Sequence, residues 1–309
     1  MPMFISFIIP ALNEEANIVN TINSIKVFKE GNNKHSVEII LVDNGSTDNT
    51  VQVSKDLGCI TNVVTNTTIA GLRNYGASIA KGDIFIFLDA DVRLTRKWMD
   101  NIDNVLESLC NNDILTGSHT VPPESDNWFL KYWFSSFAAE SDSSHLGSAH
   151  MIITREIFEK LNGFNSELIT AEDYDICQRA KSSNISIFNN KDLKVIHDDY
   201  PLTIVDFIKR EMWHGVGDCT SFSHAIKSKS LIGSLVFFSL VVAFIFGLFI
   251  NANLFALVSL FLLCAFLLLS SWVKYNHSGF KFVLVNAAIF ILYYTGRLLS
   301  LGEYIKRSK

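Results

Sequence analysis

Two acidic side chains stand one residue apart directly after an apolar segment. In FIFLDADVRL (85–94), residues 85–88 have the pattern of a buried strand, and Asp89 and Asp91 follow with only Ala90 between them. Two carboxylates held this close repel each other unless a cation neutralises them. Mg²⁺ and Mn²⁺ prefer oxygen ligands, and such ions often bridge protein carboxylates to phosphates. The spacing therefore indicates a metal–diphosphate site, with a solvated strand end or a helix N-cap as the alternative.

The segments around these carboxylates alternate between strand-like and helix-like patterns. The predicted strands are 5–10, 37–42, 60–65 and 84–88, and the predicted helices are 14–28, 48–57 and 70–81. Continuous apolar strands that alternate with helices are typical of a mostly parallel sheet covered by helices on both faces. The sequence therefore predicts an α/β fold.

Three polar clusters come directly after predicted strands. They are Asn13 with Glu14, Asp43 with Asn44 and Gly45, and Asp89 with Asp91. In a parallel sheet, ligands bind beyond the carboxyl ends of the strands. We therefore expect the three clusters to lie on one rim of the sheet and to form a ligand site there.

Charge is distributed unevenly along the 309 residues. The whole chain carries −5, and the part from Leu231 onward has six cationic side chains and one carboxylate, so residues 1–230 carry −10. An acidic first part argues against a nucleic-acid-binding protein, which needs a basic face. The five cysteines lie far apart and form no CxxC pair, which indicates reduced thiols in a cytoplasmic setting and no zinc site.

Two uncharged segments of twenty residues each predict a membrane hairpin. They are LIGSLVFFSLVVAFIFGLFI (231–250) and LFALVSLFLLCAFLLLSSWV (254–273). At ~1.5 Å per residue, each is long enough to cross a hydrocarbon core of ~30 Å. Lysines flank the pair on one side only, so the positive-inside rule predicts that residues 1–230 and the loop at 274–281 are cytoplasmic. Two buried core helices are the alternative.

A third apolar segment, predicted as a helix over about 282–301, permits two placements. If it crosses the membrane, Arg297 is expected to snorkel, and the basic end with Lys306 and Arg307 lies outside, against the rule. If it lies in the interface or re-enters, the basic end stays inside. We favour a third span and keep the interfacial placement as the alternative.

Five stretches resemble the motifs of family-2 glycosyltransferases with a GT-A fold, in that family's order and spacing. The stretches are FIIPALNEEANI (7–18), ILVDNGSTDNT (40–50), GLRNYGASIAKGD (71–83), FLDADVRL (87–94) and REIFEKLNGFNSELITAEDYDICQRA (155–180). The resemblance covers residues 4 to about 200. Two competing nucleotide-binding motifs, a GxGxxG after the first strand and a P-loop, are absent from the sequence.

The resemblance implies nucleotide contacts at the strand ends. The implied set is Pro10, Asn13, Glu14, Asp43, Arg73 and Asp89. Asp89 is expected near the ribose, and the fixed donors of Arg73 suit a carbonyl-rich base or phosphates. The alternatives are a helix N-terminal carboxylate for Glu14, an Asx turn for Asp43 and a surface salt bridge for Arg73.

The resemblance also implies a divalent cation, Mn²⁺ or Mg²⁺. Asp91 is expected to ligate it, and His197, which ends the predicted strand KVIH (194–197), is expected to complete the site. A partly buried histidine at a strand end is the alternative for His197.

For catalysis, the resemblance casts Asp173 of the AED segment (171–173) as general base. Its carboxylate would take the proton of an acceptor hydroxyl as that oxygen attacks the anomeric carbon with inversion. Glu172 is expected to orient the acceptor or a neighbouring side chain, and His145 and Gly147 are expected on the acceptor side. A merely charged first helical turn is the alternative, and Asn162 departs from the glycine that is common in the family.

The function implied is an inverting, metal-dependent glycosyltransferase of the cell membrane. Residues 1–225 would form the cytoplasmic GT-A domain, and residues 226–309 the membrane region of a multi-pass protein. The donor would be a nucleotide-diphosphate sugar, with UDP the expected carrier. The acceptor would be a hydroxyl of a lipid-linked or membrane-proximal molecule in cell-envelope polysaccharide or glycolipid synthesis. A polyprenyl-phosphate sugar transferase and a non-catalytic membrane scaffold are the alternatives.

Overall fold

The structure is a computed structural model that describes residues 2–134, 145–217, 225, 226 and 228–307. Its internal contacts divide the chain into two compact units. The first unit takes in the chain up to Glu124 and the stretch that ends at Asp199, and the second begins at Ser125 and resumes at Tyr200. The boundary at 225–226 between a cytoplasmic domain and a membrane region stays a prediction, because a division by packing does not mark where a membrane begins.

Strands and helices alternate along the first unit. The elements up to residue 121 are β1 (Phe4–Ala11), α1 (Ile18–Gly31), β2 (Ser36–Asp43), α2 (Thr50–Asp56), β3 (Ile60–Val63), α3 (Ile69–Ile79), β4 (Ile84–Leu88), β5 (Val92–Leu94), α4 (Arg96–Asn111), β6 (Ile114–Gly117) and β7 (Thr120–Val121). After α5 (Trp128–Trp133) of the second unit, the first unit continues with β8 (His150–Thr154), α6 (Arg155–Lys160), α7 (Glu172–Ser182), β9 (Ser186–Asn189) and β10 (Val195–His197).

Seven of the described strands form one sheet in the order β3-β2-β1-β4-β8-β6-β9. The strands from β3 to β4 are parallel, whereas β8 runs antiparallel to both β4 and β6. Phe7 packs with α1 and α4 on one face of the sheet, and Ile8 packs with α3 and α7 on the other. Covered on both faces, the central strands are buried almost throughout, as their continuous apolar sequences predict. The predicted mostly parallel α/β fold is confirmed.

A second, smaller sheet joins segments that are far apart in the sequence. It has the order β5-β10-β7. In the antiparallel pairing of β5 with β10, Val92 lies opposite His197. Because Asp91 directly precedes Val92, this register brings residues about a hundred positions apart to the same place.

Two helices begin later than predicted because hydrogen-bonded turns precede them. The carbonyl of Glu14 accepts the amides of Asn17 and Ile18, so α1 begins at Ile18 and not at 14. The carboxylate of Asp48 accepts both the amide and the hydroxyl of Thr50, so α2 begins at Thr50 and not at 48. Glu14 therefore lies in the turn between β1 and α1.

The described secondary-structure elements of the second unit are all helices. Besides α5 it contains α8 (Ile204–Val216), α9 (Lys229–Phe249), α10 (Asn253–Tyr275), a short 3-10 turn (Asn276–Ser278) and α11 (Phe280–Arg307). By length and composition, α9, α10 and the part of α11 up to Gly302 are each able to cross a membrane. The predicted C-terminal membrane region is confirmed as three apolar helices that are able to span a bilayer.

The predicted snorkelling of Arg297 is wrong. Its guanidinium Nε lies 3.0 Å from Oε2 of Glu211 on α8, and both side chains are largely buried. The two helices approach closely here, since a Cβ on Gly296 would lie 2.8 Å from that of Glu211. A basic group buried beside a carboxylate is stabilised by that partner and does not need to reach water.

Candidate active site

The Asp89–Asp91 segment is a tight turn fixed at both ends. The amide of Asp89 donates to the carbonyl of Ala149 at 3.2 Å, and the amide of Val92 donates back to the carbonyl of Asp89 at 3.1 Å. Between them, the carbonyl of Ala90 accepts the hydroxyl of Thr21 at 2.7 Å. The two carboxylates are therefore held at the end of β4 by the main chain.

Asp91 pairs with His197 across the small sheet. Oδ2 of Asp91 lies 2.6 Å from Nε2 of His197, and both side chains are largely buried. The antiparallel register of β5 with β10 causes this meeting, and the amide of Asp198 adds a 2.8 Å hydrogen bond to the Asp91 carbonyl. The structure thus brings together the two residues that the sequence assigns to a metal.

The donor set of this pair fits a metal that also binds a diphosphate. Within residues 2–134 and 145–307, as far as they are described, no group of three or more His, Cys, Asp or Glu side chains is arranged to hold an ion. Mg²⁺ does not need such a group, because it takes most of its ligands from water and from phosphate oxygens. A carboxylate and an imidazole are adequate as the protein's share, and Mn²⁺ accepts both kinds of ligand. Metal binding by Asp91 and His197 stays a prediction.

Arg73 connects the two sides of the site. Its guanidinium donates to Oδ1 of Asp89 at 2.6 Å and to Oε1 of Glu172 at 2.7 Å, and its side chain is only 1% exposed. Ser148 donates its hydroxyl to the same Glu172 oxygen at 2.9 Å. The buried Arg73 and Glu172 need such partners, since an unpaired buried charge is strongly destabilising. Arg73 therefore acts as a clamp between β4 and α7, and its direct contact with a nucleotide stays a prediction.

Asp173 stands beside this clamp at the start of α7. Burial alone would raise the pKa of its carboxyl, but the hydrogen bond and charge of His145, with smaller effects of the Tyr174 amide and Arg73, hold that pKa below its ordinary value. Nε2 of His145 lies 3.5 Å from Oδ1 of Asp173. Gly147 is also close, since a Cβ there would lie 3.8 Å from Oδ2 of Asp173. Asp173 is therefore ionised near neutral pH, as a general base must be.

The chain enters α7 through a strained residue. Ala171 has φ of 67°, in the left-handed region that residues with a Cβ rarely adopt. Strained conformations of this kind are concentrated at functional sites. The three carboxylates of the first turn, Glu172, Asp173 and Asp175, lie where the helix dipole stabilises negative charge.

The loops after β1 and β2 are joined by side-chain hydrogen bonds. The fully buried Asp43 accepts the amides of Gly45 and Ser46, each at 2.8 Å, and also pairs with the Ser46 hydroxyl. Asn13 donates its amide to that hydroxyl and accepts the amide of Thr47, both at 2.8 Å. Asp43 thus makes the Asx turn considered for it, and its carboxylate supports the loop from within. Nucleotide contacts by Asp43 and Asn13 stay predictions.

Pro10 lies near the end of β1 in a position that suits its chemistry. It is buried and pairs with Val42 of β2, but it lies beyond the last residue of β1 that pairs with β4. Proline lacks an amide hydrogen, so it is tolerated where one side of a strand has no ladder to satisfy. The contact between Pro10 and a nucleotide stays a prediction.

Glu14 has the most perturbed carboxyl on this rim. Burial raises its pKa to about 7, the hydrogen bond from Asn17 opposes this, and the charges of Asp91, Asp199 and Asp89 add to the rise. Negative charge therefore accumulates near Glu14, Asp89 and Asp91. Such an accumulation is what a divalent cation would neutralise.

Sequence reasoning missed a buried network beneath the site. The indole of Trp98 donates to Nε2 of His150 at 2.9 Å, and Nδ1 of His150 lies 2.9 Å from the Ser118 hydroxyl, which donates to the carbonyl of Leu193. His150 pairs with Leu88 at the end of β4. No local pattern signals this network, because its members come from four separate segments. Ser148 and Asp199 were missed for the same reason.

A match to a known family accounts for this arrangement. The sequence profile of glycosyl transferase family 2 matches residues 6–168, more than half of the chain. The chain belongs to glycosyl transferase family 2. The predicted resemblance is thereby confirmed, and the matched range contains the Asp89–Asp91 turn and Arg73.

Curated relatives of this family-2 chain match parts of it. An uncharacterised glycosyltransferase of Rickettsia typhi is 35% identical over 104 residues, which are 34% of this chain and 33% of that protein. Glycosyltransferase AglE of Haloferax volcanii is 23% identical over 225 residues, or 69% of this chain and 72% of that protein. The chain thus covers about a third of the length of the first curated relatives it matches.

A solved structure with the same fold extends over nearly the whole family-2 chain. It is the mannosyltransferase PcManGT from Pyrobaculum calidifontis, solved in complex with GDP-Man and Mn²⁺. The TM-score is 0.57 at 18% identity, covering 97% of this chain and 84% of that chain. At this identity the likeness concerns the fold alone, and it confirms the predicted GT-A type.

Proposed function

We propose that this chain is an inverting, metal-dependent glycosyltransferase that moves a sugar from a nucleotide-diphosphate sugar to an acceptor hydroxyl. The observation that carries the proposal is the clamp in which Arg73 joins Asp89 to Glu172, the sequence neighbour of the ionised Asp173. A donor-side carboxylate and a candidate base are thereby fixed to each other. Family membership supports the same reaction class.

In the proposed reaction, Asp173 holds and moves the proton. Its lowered pKa keeps it ionised, so it can accept the proton of an acceptor hydroxyl as that oxygen attacks the anomeric carbon. His145 and Arg73 stabilise the ionised form before the reaction. Attack on the face opposite the departing nucleotide inverts the configuration of the sugar.

Asp91 and His197 are the residues that would hold the metal. A divalent cation at this place supplies positive charge for the departing diphosphate. Asn13, Glu14 and the loop fixed by Asp43 would flank the nucleotide. The mannosyltransferase with this fold was solved with GDP-Man and Mn²⁺, which supports a nucleotide-diphosphate sugar with a divalent metal as the ligand class. UDP stays the expected carrier, with GDP and dTDP as the other candidates.

We further infer that α9 and α10 anchor the chain in the cell membrane, with residues 1–230 and the loop at 274–281 on the cytoplasmic side. Lysines stand at the Lys229 end of α9 and the Lys274 end of α10, and the turn at 251–253 is uncharged. Anchoring by the same chain supports a lipid-linked or membrane-proximal acceptor, in cell-envelope polysaccharide or glycolipid synthesis. A lipid phosphate is already ionised and needs no base, so the pairing of Asp173 with His145 supports a hydroxyl acceptor instead.

The proposal is tested by nucleotide release from the full chain in detergent. We expect one donor from a panel of UDP-, GDP- and dTDP-sugars to be hydrolysed slowly with Mn²⁺, and EDTA or Asp91→Asn to abolish the release. Calorimetric titration of the same donors provides a second readout. A chain that neither releases nucleotide nor binds any donor would contradict the proposal and support a non-catalytic scaffold.

A further inference from the structure

The C-terminal helix α11 does not run along the hairpin formed by α9 and α10. Near its start, the carbonyl of Val283 accepts the hydroxyl of Ser271 on α10 at 2.7 Å. Eleven residues further on, the hydroxyl of Tyr294 donates to that of Ser270 at 2.8 Å, and its ring stacks on Phe266. The chain advances by ~16 Å along α11 between these contacts. On α10 the contact moves by about one turn only.

This pattern requires a steep crossing. If α11 crossed the membrane antiparallel to α10, Tyr294 would lie beside residues near 260, eleven positions before Ser271. It instead contacts the first half of α9, where a Cβ on Gly233 would lie 2.8 Å from its ring and where it stacks on Phe237. Helix α11 therefore lies across the base of the hairpin, close to the Lys229 and Tyr275 ends.

Among the described residues, the part of the hairpin beyond Val241 on α9 and before Leu263 on α10 adds nothing to the buried cluster that α11 shares. From the hairpin, that cluster draws on Phe237, Phe266, Leu267 and Tyr275 in the half near the Lys229 and Tyr275 ends, and on Val241 and Leu263 just past the middle of each helix. In the far half, Gly247 approaches Phe255 and Ala256 closely. Phe249 and Leu254 at the tip are 83% and 77% exposed. A third spanning helix would cover part of this half.

The opposite side of α11 is packed against helices that carry exposed charges. Asn286 donates to the carbonyl of Tyr132 on α5, and a Cβ on Gly215 of α8 would lie 2.6 Å from that of Ser300. Asp206 and Lys209 of α8 are exposed. If α11 spanned the bilayer, α8 beside it would carry these charges into hydrocarbon, which is costly.

A third face of α11 is apolar and exposed. Phe280, Leu284, Ile291 and Leu299 are between 43% and 67% exposed. They are spaced by four, seven and eight residues and so share one side of the helix. The short turn Asn276–Ser278 joins α11 directly to α10, whose own apolar surface is exposed, so a lipid surface is the partner that fits this stripe.

We propose that only α9 and α10 cross the membrane and that α11 lies in the plane of the interface, on the side of Lys229 and Tyr275. Its apolar stripe enters the boundary between headgroups and acyl chains, and α5 and α8 cover its other side. The basic C-terminal end then stays on the same side as Lys229, in agreement with the positive-inside rule. This inference rests on the membrane anchoring proposed above and replaces the third span favoured from the sequence.

The test is labelling of single cysteines in intact and permeabilised cells with an impermeant maleimide. In a full chain with its five native cysteines replaced by serine, the test position is Gly302→Cys, where an added Cβ meets nothing within 4 Å. The reference positions are Ala252→Cys in the hairpin turn and the exposed His277→Cys after α10. We expect Ala252→Cys to be labelled in intact cells, and His277→Cys and Gly302→Cys only after permeabilisation.

Labelling of Gly302→Cys on the same side as Ala252→Cys, and opposite His277→Cys, would overturn the in-plane helix. Labelling of Ala252→Cys and His277→Cys on one side would instead overturn the membrane hairpin itself, so the two failures are distinguishable.

A second pair of variants tests how deeply each helix enters the membrane. Phe238→Lys, midway along α9, should lower the carbonate-resistant fraction several-fold, whereas Ile291→Lys, midway along α11, should leave it near the wild-type value. Equal losses in both would contradict the in-plane placement.

Discussion

At the level of single residues, the buried guanidinium of Arg73 holds two carboxylates from different parts of the chain. Lysine offers a point charge that reaches one of them and leaves the other without its partner. We expect Arg73→Lys to lower kcat/KM by about 10²-fold, since hydrogen bonds to charged groups are worth ~1.5–3 kcal/mol each. Steady-state transfer or hydrolysis assays measure this.

The matched control for Arg73 is Arg155→Lys. Arg155 donates to the backbone carbonyls of Ala80 and Gly82 and clamps no pair of carboxylates. The Arg155→Lys variant should have a lower melting temperature and a kcat/KM within a few-fold of the wild-type value. Similar kinetic losses in both variants would mean that Arg73 matters for stability alone.

Asp173 and Asp175 are two acidic residues in the same helical turn with different partners. Asp173 lies beside His145, whereas Asp175 is paired with Arg179 at 2.7 Å on its own helix. Removal of a general base costs roughly 10²–10⁴-fold in rate, so Asp173→Asn should lose transfer by that factor and keep donor affinity. Asp175→Asn should keep both its transfer rate and its donor affinity near the wild-type values. Wild-type transfer by Asp173→Asn would show that the base lies elsewhere.

Glu14 makes stability depend on pH in the direction set by its raised pKa. A carboxyl whose folded pKa is about 7 and whose ordinary value is 4.5 favours folding fully below 4.5, and this contribution is lost as pH rises through 7. In metal-free detergent solution at pH 8, the free energy of unfolding of Glu14→Gln should therefore exceed that of the wild type by about 1–2 kcal/mol after allowance for solvent screening. Its melting temperature should be correspondingly higher. At pH 4 the two should agree. A lower melting temperature at pH 8 would contradict the burial of an ionised Glu14.

At the level of elements, His150 ties β8 to α4 and, through Ser118 after β6, to the segment before β10. Burial lowers its pKa to about 3, and the Ser118 amide only partly opposes this, so the folded protein keeps the ring neutral. The unfolded chain takes up the proton near pH 6.5, so this contribution to stability is lost as pH falls from 6.5 towards 3.

His150→Phe should therefore lower the melting temperature at pH 7.5 and flatten its decline between pH 6.5 and 5. The loss at pH 7.5 comes from Trp98 and Ser118, whose polar groups lose a partner at ~1–3 kcal/mol each. His277→Ala, at an exposed position, should change neither quantity. A decline as steep as that of the wild type would show that other groups control the acid sensitivity.

The elements were predictable from sequence to different degrees. The strand Ile84–Leu88 was predicted with the same limits that the structure shows, because Gly82 and Asp83 precede this short apolar run and Asp89 follows it. The helix starts at Ile18 and Thr50 were missed, because side-chain and turn hydrogen bonds hold the preceding residues outside the helix. The pairing of Asp91 with His197 depends on a strand register that no local pattern encodes.

At the level of the whole molecule, composition predicted the division between an acidic part and an apolar, basic part. Each of α9 and α10 contains twenty consecutive uncharged residues, so in the proposed membrane anchor hydrocarbon and not charge would hold them. We therefore expect the full chain to stay in the membrane pellet through washes with about 1 M salt, which screens charge interactions, and with alkaline carbonate. Release by salt alone would indicate peripheral attachment.

Composition could not predict the position of α11. Its length and apolarity suit a span, and only its contacts with Ser271, Tyr132 and Glu211 reveal that it crosses the hairpin base. The same limit applies to Arg297, whose partner lies 86 positions earlier in the chain. Hydropathy measures what a segment tolerates, and packing decides where it lies.

The Arg73 clamp also limits how this protein is re-engineered. Donor and acceptor preferences are commonly altered by grafting one half of an enzyme onto another, with a junction somewhere between the halves. Here a junction between residues 89 and 172 separates a buried cation from one of its two anions. A chimera that brings in a different residue at either position strands a charge in the interior. Working hybrids must therefore transplant Arg73, Asp89 and Glu172 together, or replace all three with an uncharged set.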